Sequence, residues 1–549
     1  ISQVIAAKLS FTAPAITASI QEGGSLFQAQ FDYEQNKEWK GKLKRTKIDS
    51  RGKLYPNDKS NWEASDVMPA PDNRKIWSEI PGTDYKSNLN NFTVSNWSEV
   101  NTLFQQTNNE VSGYHSVSDN PVNSRRCASA SGVANGTDDD IKGLINFIRG
   151  KDYFDYDGDC NLTETRTNPL GDIYHSEMVV VNKPKAESAF VGTNQEAYWR
   201  SIKGYKAWAD SIVRDSVIYV GANDGMLHAF DAKTGVELWG FIPPFIGGRL
   251  PEMVNANLNR TTTPKGGSNA IYGVDGSPVV HDMYFIKPGT NGKAWYTILM
   301  IPYGRGGAGF SVLDITDPNN PEHLYSIYND YILKKVHFVD HLGQFEEWDY
   351  IATHYGLASF NEAKRAKDNA EDSSTSQTCD SSGNTQCHKA KAWTLPIRGL
   401  KAEDLIVTKD QQPYTKFTVS ADAAGYTVLT FKEDMTYYGF DIGASDETKG
   451  STDLGVEIKS TSTATGLVNK PEYDYSKLGD TWSAPRIMRL PTQGRDDVNS
   501  EDDVYVAVMG GGYAAVTPGV GSNLTIVNLE KGINGYGEVL RVIDIPDIP

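Results

Sequence analysis

Val217-Ile218-Tyr219-Val220-Gly221-Ala222-Asn223-Asp224-Gly225 runs into Leu227-His228-Ala229-Phe230-Asp231-Ala232-Lys233-Thr234-Gly235 and then Glu237-Leu238-Trp239. The stretch reads as a strand, a tight Asn-Asp-Gly turn, a strand, a Lys-Thr-Gly turn and a strand closing on Trp. A second copy runs through Tyr296-Thr297-Ile298-Leu299-Met300-Ile301, Ser311-Val312-Leu313-Asp314-Ile315 and His323-Leu324-Tyr325. A third runs through Val504-Tyr505-Val506-Ala507-Val508-Met509, Thr525-Ile526-Val527-Asn528-Leu529 and Val539-Leu540-Arg541. Each follows a lead-in expected to be a strand, beginning at Gly171-Asp172, Asp275-Gly276 and Gly479-Asp480. Four antiparallel strands joined by Gly-rich turns form the unit of a β-propeller, because one such sheet buries its two faces only by stacking on others. The competing reading is an open β-sandwich.

Spacing and composition extend this all-β reading. A blade needs roughly 40–50 residues; Asp172 to Asp275 spans about twice that and Asp275 to Asp480 more than four times. The expected organisation is a weaker first blade in 1–80 (Thr12–Thr17, Leu26–Phe31, Trp39–Leu43, Lys75–Trp77), a helical insertion in 81–170, two clear blades in 171–328, an aromatic and polar insertion in 329–475 and a further blade in 476–549. The insertion is expected to begin helically around Phe345, Trp348, Tyr350 and Tyr355, to end in a hairpin of Tyr426–Phe431 with Tyr437–Phe440, and to carry partner contacts. Helices are expected at Trp97–Phe104 and after Thr137, where an N-cap Thr and three acids precede Ile141, Leu144, Ile145 and Ile148, with Gly150 at the stop. The sequence ends at Pro549 right after the third copy and begins with Ile1, and three or four blades rarely close a ring, so the ring is expected to continue in sequence beyond this chain. A formal net charge of −17 argues against nucleic acid or anionic membranes as partners. No apolar run is long enough for a transmembrane helix.

The four cysteines, Cys127, Cys160, Cys379 and Cys387, match no zinc pattern. They are read as two disulfides, Cys127–Cys160 and Cys379–Cys387, and so as the mark of an exported protein; the alternative is four free thiols in the cytosol. Cys160 lies within Asp155-Tyr156-Asp157-Gly158-Asp159-Cys160-Asn161-Leu162-Thr163-Glu164. Alternating carboxylates in a Gly-containing loop aim hard oxygens at one centre, which suits Ca²⁺. Asp155, Asp157 and Asp159 are the candidate side-chain ligands, Asn161 a carbonyl ligand, and Glu164 or Asp152 a completing acid. The alternative is a solvated acidic turn, since the glycine sits early and position twelve is Arg166. Gly304-Arg305-Gly306-Gly307 and Gly510-Gly511-Gly512 precede no helix and read as close packing near the axis, not phosphate loops. His337 and His341 have metal spacing only on a helix. His175 and His228 read as packed blade residues, and no catalytic set emerges.

The Ala232-Lys233-Thr234-Gly235-Val236-Glu237-Leu238-Trp239 stretch resembles the tryptophan-docking repeat of quinoprotein dehydrogenases, which implies quinoprotein-like four-stranded blades. Leu170-Gly171-Asp172-Ile173-Tyr174-His175-Ser176 together with Tyr219–Phe230 resembles the PilC/PilY family of type IV pilus tip proteins. Phe31-Asp32-Tyr33-Glu34 with Lys37–Gly41 is similar to its neisserial PilC branch. That resemblance implies a C-terminal propeller in a non-enzymatic adhesin and pilus-biogenesis factor at the pilus tip (fimbrium), cell surface or outer membrane. It further implies pilins, minor pilins and a host-cell receptor as partners, calcium-modulated pilus extension and retraction, twitching motility, cell adhesion and virulence. The family's calcium loop has an acid at position nine, where this chain has Thr163. The alternatives are a periplasmic quinoprotein-like oxidoreductase and a scaffold for outer-membrane assembly.

Overall fold

The computed structural model describes residues 10–16, 24–32, 39–105, 137–153, 159, 161–189, 195–253, 268–350, 377–378, 386–409, 412–422, 426–438, 454–458, 470–490, 503–514, 520–532 and 535–545. Alternating apolar residues at strand spacing produce six sheets, antiparallel except for one short parallel pair. The first sheet is built on Ser10–Ile16, Ser25–Asp32 and Lys40–Ile48. The second orders Val179–Val181, Val217–Gly221, Leu227–Asp231 and Glu237–Phe241 side by side. The third does the same with Val279–Ile286, Lys293–Pro302, Gly309–Asp314 and Glu322–Asp330. The fourth uses Arg486–Leu490, Val504–Gly510, Asn523–Asn528 and Val539–Asp544.

Period-two alternation sorts each strand's side chains between two neighbouring sheets. Val217 and Tyr219 pack toward Leu299, Ile301 and Leu313 of the third sheet. Ile218 and Val220, one residue out of phase, pack toward Phe27, Ala29 and Leu43 of the first. Ile298, Met300 and Val312 point the other way again, onto Tyr505, Ala507 and Met509 of the fourth. The sheets are therefore stacked in chain order, and the opening strand of the third lies against those of the second and fourth. This is a β-propeller, with opening strands innermost. The outward face of the first sheet carries Gln28, Gln30, Lys42 and Lys44 between the buried positions, with Lys42 paired to Asp32 and Lys44 to Glu63. Trp239 is fully buried between the second and third sheets, and its indole N–H donates to the Pro318 carbonyl (2.7 Å), so the tryptophan-docking stretch does join blades.

Both expected helices form, Trp97–Phe104 and Thr137–Arg149, and pack with Met226, Ile242 and Leu250 outside the second sheet. Four local readings differ from the structure. Ile76–Trp77 joins the second sheet instead of the first, pairing parallel with Gly240 and Phe241, where Trp77 stacks on Tyr85. The stretch expected to be helical from 329 is strand: Lys335–Asp340 and Phe345–Asp349 extend the third sheet to six. The edge of Glu322–Asp330 pairs with Lys335–Asp340, and as a strand the segment buries Trp348 against Tyr473, which favours strand over helix. His337 thus lies in a strand, so its spacing to His341 is not that of one helical turn. Tyr426–Tyr438 is one long strand, pairing with Gln386–Arg398 and Phe417–Ala421. The lead-ins are extended segments making isolated bridges, and regular strands start only at Val179, Val279 and Arg486.

Trp239→Ala, which empties a volume shared by two blades, should cost about 3–5 kcal/mol. Gln28→Ala on the outward face should stay within about 0.5 kcal/mol. Urea unfolding of the two variants checks this, and equal midpoints would contradict stacking through apolar faces.

Candidate functional site

Every lead-in arrives at the same end of the propeller, here the upper rim, and docks on the hairpin turns there. Gly171 N–H donates to Asp224 Oδ2 (2.8 Å), and Asn223 N–H to the Asp172 carbonyl (2.9 Å). Asn223 then faces two ways. Its Nδ2 donates to Asp172 Oδ2 (2.6 Å), and its Oδ1 accepts from Gly273 N–H (3.0 Å) of the next lead-in. At the following joint Thr481 Oγ1 donates to the Gly309 carbonyl (2.7 Å) and accepts from Tyr303 N–H (3.0 Å). Backbone meets backbone so closely that a Cβ on Gly306 would stand 1.7 Å from the Gly273 carbonyl oxygen. Gly512 combines φ +84° with the Asp480 carbonyl against its Cα, which only glycine tolerates. The Gly-rich turns are thus close-packed joints, as their sequence suggested.

Each lead-in contributes one aspartate at an equivalent place. Burial pushes the Asp172 carboxyl up to about 7; Asn223 donates against that shift, and Asp275 and Asp224 reinforce it. Burial likewise raises Asp275 against its bond to His175, and raises Asp480 to about 6 against a bond from Tyr331.

Behind the turn lies a closed charge network. His228 is fully buried between Asp224 Oδ1 (3.1 Å from Nε2) and Glu237 Oε1 (2.8 Å from Nδ1). Arg74 completes it, donating from Nε and Nη2 to the two Glu237 oxygens at 2.7 Å each. Burial disfavours the imidazolium, but the Asp224 carboxylate outweighs it and His228 stays protonated to about 9. Arg74 Nη1 also donates to the Ile148 and Arg149 carbonyls, so the helix Thr137–Arg149 is tied to the blade. A carboxylate–histidine–carboxylate row shut off from solvent has no access to a substrate. It does fix the insertion in place.

The accessible chemistry is on the rim itself. The His175 side chain is 40% exposed, and its Nδ1 lies 2.6 Å from Asp275 Oδ2. Trp482 stacks on His175 with centroids 5.4 Å apart, and Tyr513 stands 6.0 Å beyond it. The Arg305 guanidinium lies 4.1 Å from the Tyr272 ring centroid and 5.3 Å from that of Trp482. Tyr331 O–H reaches Asp480 (3.2 Å), bringing Ile332 and Leu333 beside this group. Trp482, Arg305 and Tyr513 were not singled out from sequence as site residues. The only signal was their place within or beside the repeated Gly-Asp and Gly-rich motifs.

Of the acidic loop, Asp159, Asn161 and Glu164 lie among the described residues, while Asp155, Asp157 and Cys160 lie outside them, as do Cys127 and Cys379. Asp159 Oδ1 accepts from Asn161 N–H (2.7 Å), and Asn161 Nδ2 donates to Glu164 Oε2 (3.2 Å). The loop's arms pair at the end of the helix through Lys151 and Thr165, and Arg166 covers Phe147 at 4.3 Å. Among the described residues no three His, Cys, Asp or Glu side chains are grouped closely enough to hold a metal ion. Cys387 lies in the strand Gln386–Arg398.

Fold and rim together define a β-propeller whose blades are stitched by aspartate lead-ins. Residues 170–335 match the family described as the PilY1 beta-propeller domain. The type IV pilus biogenesis factor PilY1 of Pseudomonas aeruginosa strain PAO1 is 30% identical over 324 residues, which is 57% of this chain and 24% of that protein. Its counterpart in strain UCBPP-PA14 is 29% identical over 336 residues, 58% of this chain and 24% of the relative. A PilY1 homolog of Xylella fastidiosa strain Temecula1 is 34% identical over 185 residues, 33% of this chain and 13% of the relative. The chain thus spans about a quarter or less of the curated relatives it matches. No solved structure matches it. Over residues 170–335 the propeller is thus similar to that of PilY1 proteins, in line with the resemblance drawn from the motifs around Asp172 and Asn223.

The pH dependence of the joints follows from Asp172. The folded protein holds this proton up to about pH 7, whereas an unfolded aspartate releases it near 3.8. The stabilisation is complete below the lower value and is lost as pH rises through the upper one. Asp172→Asn should therefore remove a fall in melting temperature between about pH 4 and 7. Parallel curves for wild type and variant across this window would refute the assignment.

Proposed function

We propose that this chain is the propeller module of a type IV pilus biogenesis factor and works by holding protein partners, not by catalysis. The observation that carries this is the match of residues 170–335 to the PilY1 propeller, together with 30% identity to a type IV pilus biogenesis factor over 324 residues. The buried titratable groups of that rim, Asp172, Asp224, His228 and Glu237, are spent on joining blades and the helical insertion. The chain's partners on this reading are pilins and minor pilins, with a host-cell receptor for adhesion, and its location is the pilus tip or outer membrane of an exported protein. No helix among the described residues is long and apolar enough to cross a membrane. Replacing the native gene by a form lacking residues 170–545 should abolish or sharply reduce surface pili and twitching motility. Normal sheared pilin and normal motility in that strain would sink the reading.

Calcium and disulfides belong to the same proposal. Asp155, Asp157, Asp159, Asn161 and Glu164 would bind Ca²⁺, and support comes from the turn that already ties Asp159 and Glu164 to Asn161. Three acids within five residues repel one another, so a bound cation relieves strain in the loop and orders it at the helix end. The cystines Cys127–Cys160 and Cys379–Cys387 are, on the same reading, those of an exported protein. At calcium about 100-fold above its Kd, binding should stabilise the chain by about 2.7 kcal/mol. Asp159→Ala should lose that rise in melting temperature, and an unchanged calcium response in the variant would exclude this loop.

A further inference from the structure

Large apolar side chains stand open together on the upper rim of the third and fourth blades. Ile332 is 75% exposed, Tyr513 56%, Trp482 48% and Leu333 46%. Trp482 and Tyr513 are neighbours, with centroids 6.0 Å apart, and Tyr331 donates to Asp480, which ties the turn carrying Ile332 and Leu333 to the lead-in that carries Trp482. Single exposed apolar residues need no explanation, but a cluster on one face marks a contact surface. At its centre is Arg305. Its Nη1 donates to Tyr272 O–H (2.7 Å), its plane lies beside two rings, and among the described residues it makes no ion pair. A guanidinium held by rings is fixed in direction, and a carboxylate arriving there gains a charge-assisted and often bidentate bond. Arg249, itself paired with Glu252 (3.3 Å), holds this turn by donating to the Arg305 and Gly306 carbonyls (3.2 and 2.8 Å).

We propose that Ile332, Leu333, Trp482, Tyr513 and Arg305 form a docking surface for an acidic, apolar segment of a protein partner. This names the partner chemistry for the pilus-assembly role and rests on that reading. The carboxylate meets Arg305, while a neighbouring aliphatic or aromatic side chain covers Trp482 and Ile332. Exposed Trp, Tyr and Arg are the residue types in which binding energy concentrates.

The test is selection of a displayed random dodecapeptide library on the whole immobilised chain, with a glycan array in parallel. Selected peptides should carry Asp or Glu beside Leu, Ile or Phe. A synthetic peptide of the selected sequence should bind Arg305→Ala about tenfold more weakly, the worth of one charge-assisted contact. It should also weaken as salt rises. Ile332→Ser, at a position with little to lose in the fold, should weaken binding several-fold while leaving the melting temperature unchanged. Three outcomes overturn the proposal: peptides without acids, peptides indifferent to Arg305→Ala and Ile332→Ser, or glycan binding that Trp482→Ala abolishes. Pili lost on removal of the propeller, alongside any of these, would leave the pilus reading standing and remove only this surface.

Discussion

The backbone contact between each lead-in and the turns at the upper rim is the constraint on which the remaining structure depends. Apolar faces alone fix how blades stack but leave them free to slide over one another, since dispersion and hydrophobic burial are not directional. Hydrogen bonds from Gly41 to Leu170, from Gly273 to Asn223 and from Thr481 to Gly309 remove that freedom. They form where the chain segments come close at glycine and water is excluded, so leaving one unmade would strand a buried polar group. Asn223 is the most economical of these devices, because one amide satisfies a carboxyl of its own blade and an amide of the next.

The charge network behind the turn shows how an insertion is grafted onto such a frame. Two acids and two bases, Asp224, His228, Glu237 and Arg74, balance within a closed space. Any one of them without its neighbours would be a buried charge in a poor solvent for charge. Arg74 precedes the insertion, Ile148 and Arg149 end its helix, and Asp224 lies on the blade turn that receives Gly171. Lys151 and Thr165, which flank the acidic loop, pair directly after this helix.

Local chemistry was legible from sequence, and long-range pairing was not. The Asn-Asp-Gly turn, the closing Trp239 and the capped helix at Thr137–Arg149 each announce themselves within a few residues. The placement of Ile76–Trp77 does not, since its partner is about 160 residues away and the pairing is parallel. Phe345 and Trp348 stand three apart, a helical interval; the free edge of the third sheet decided otherwise, leaving Phe345 exposed and Trp348 covered. At the candidate site, Asp172, Asp275 and Asp480 were visible as markers of the repeat. Their burial, and the gathering of Trp482, Arg305 and Ile332, required the ring to close segments about 150 residues apart onto one rim.

Blades that radiate from an axis diverge, so the gap between neighbours widens outward. The side chains follow that wedge: Val, Ile and Ala near the opening strands, and Trp77, Trp239, Trp348 and Tyr473 toward the periphery. The extra strands at Ile76–Trp77 and Phe345–Asp349 are both added on the outer side. In evolutionary terms the perimeter is open ground, where a new strand finds an unpaired edge and large rings fill whatever space remains. The axis is closed ground, for a change as small as one methyl group at Gly306 has nowhere to go. Lineages of such a protein should diversify from the outside in.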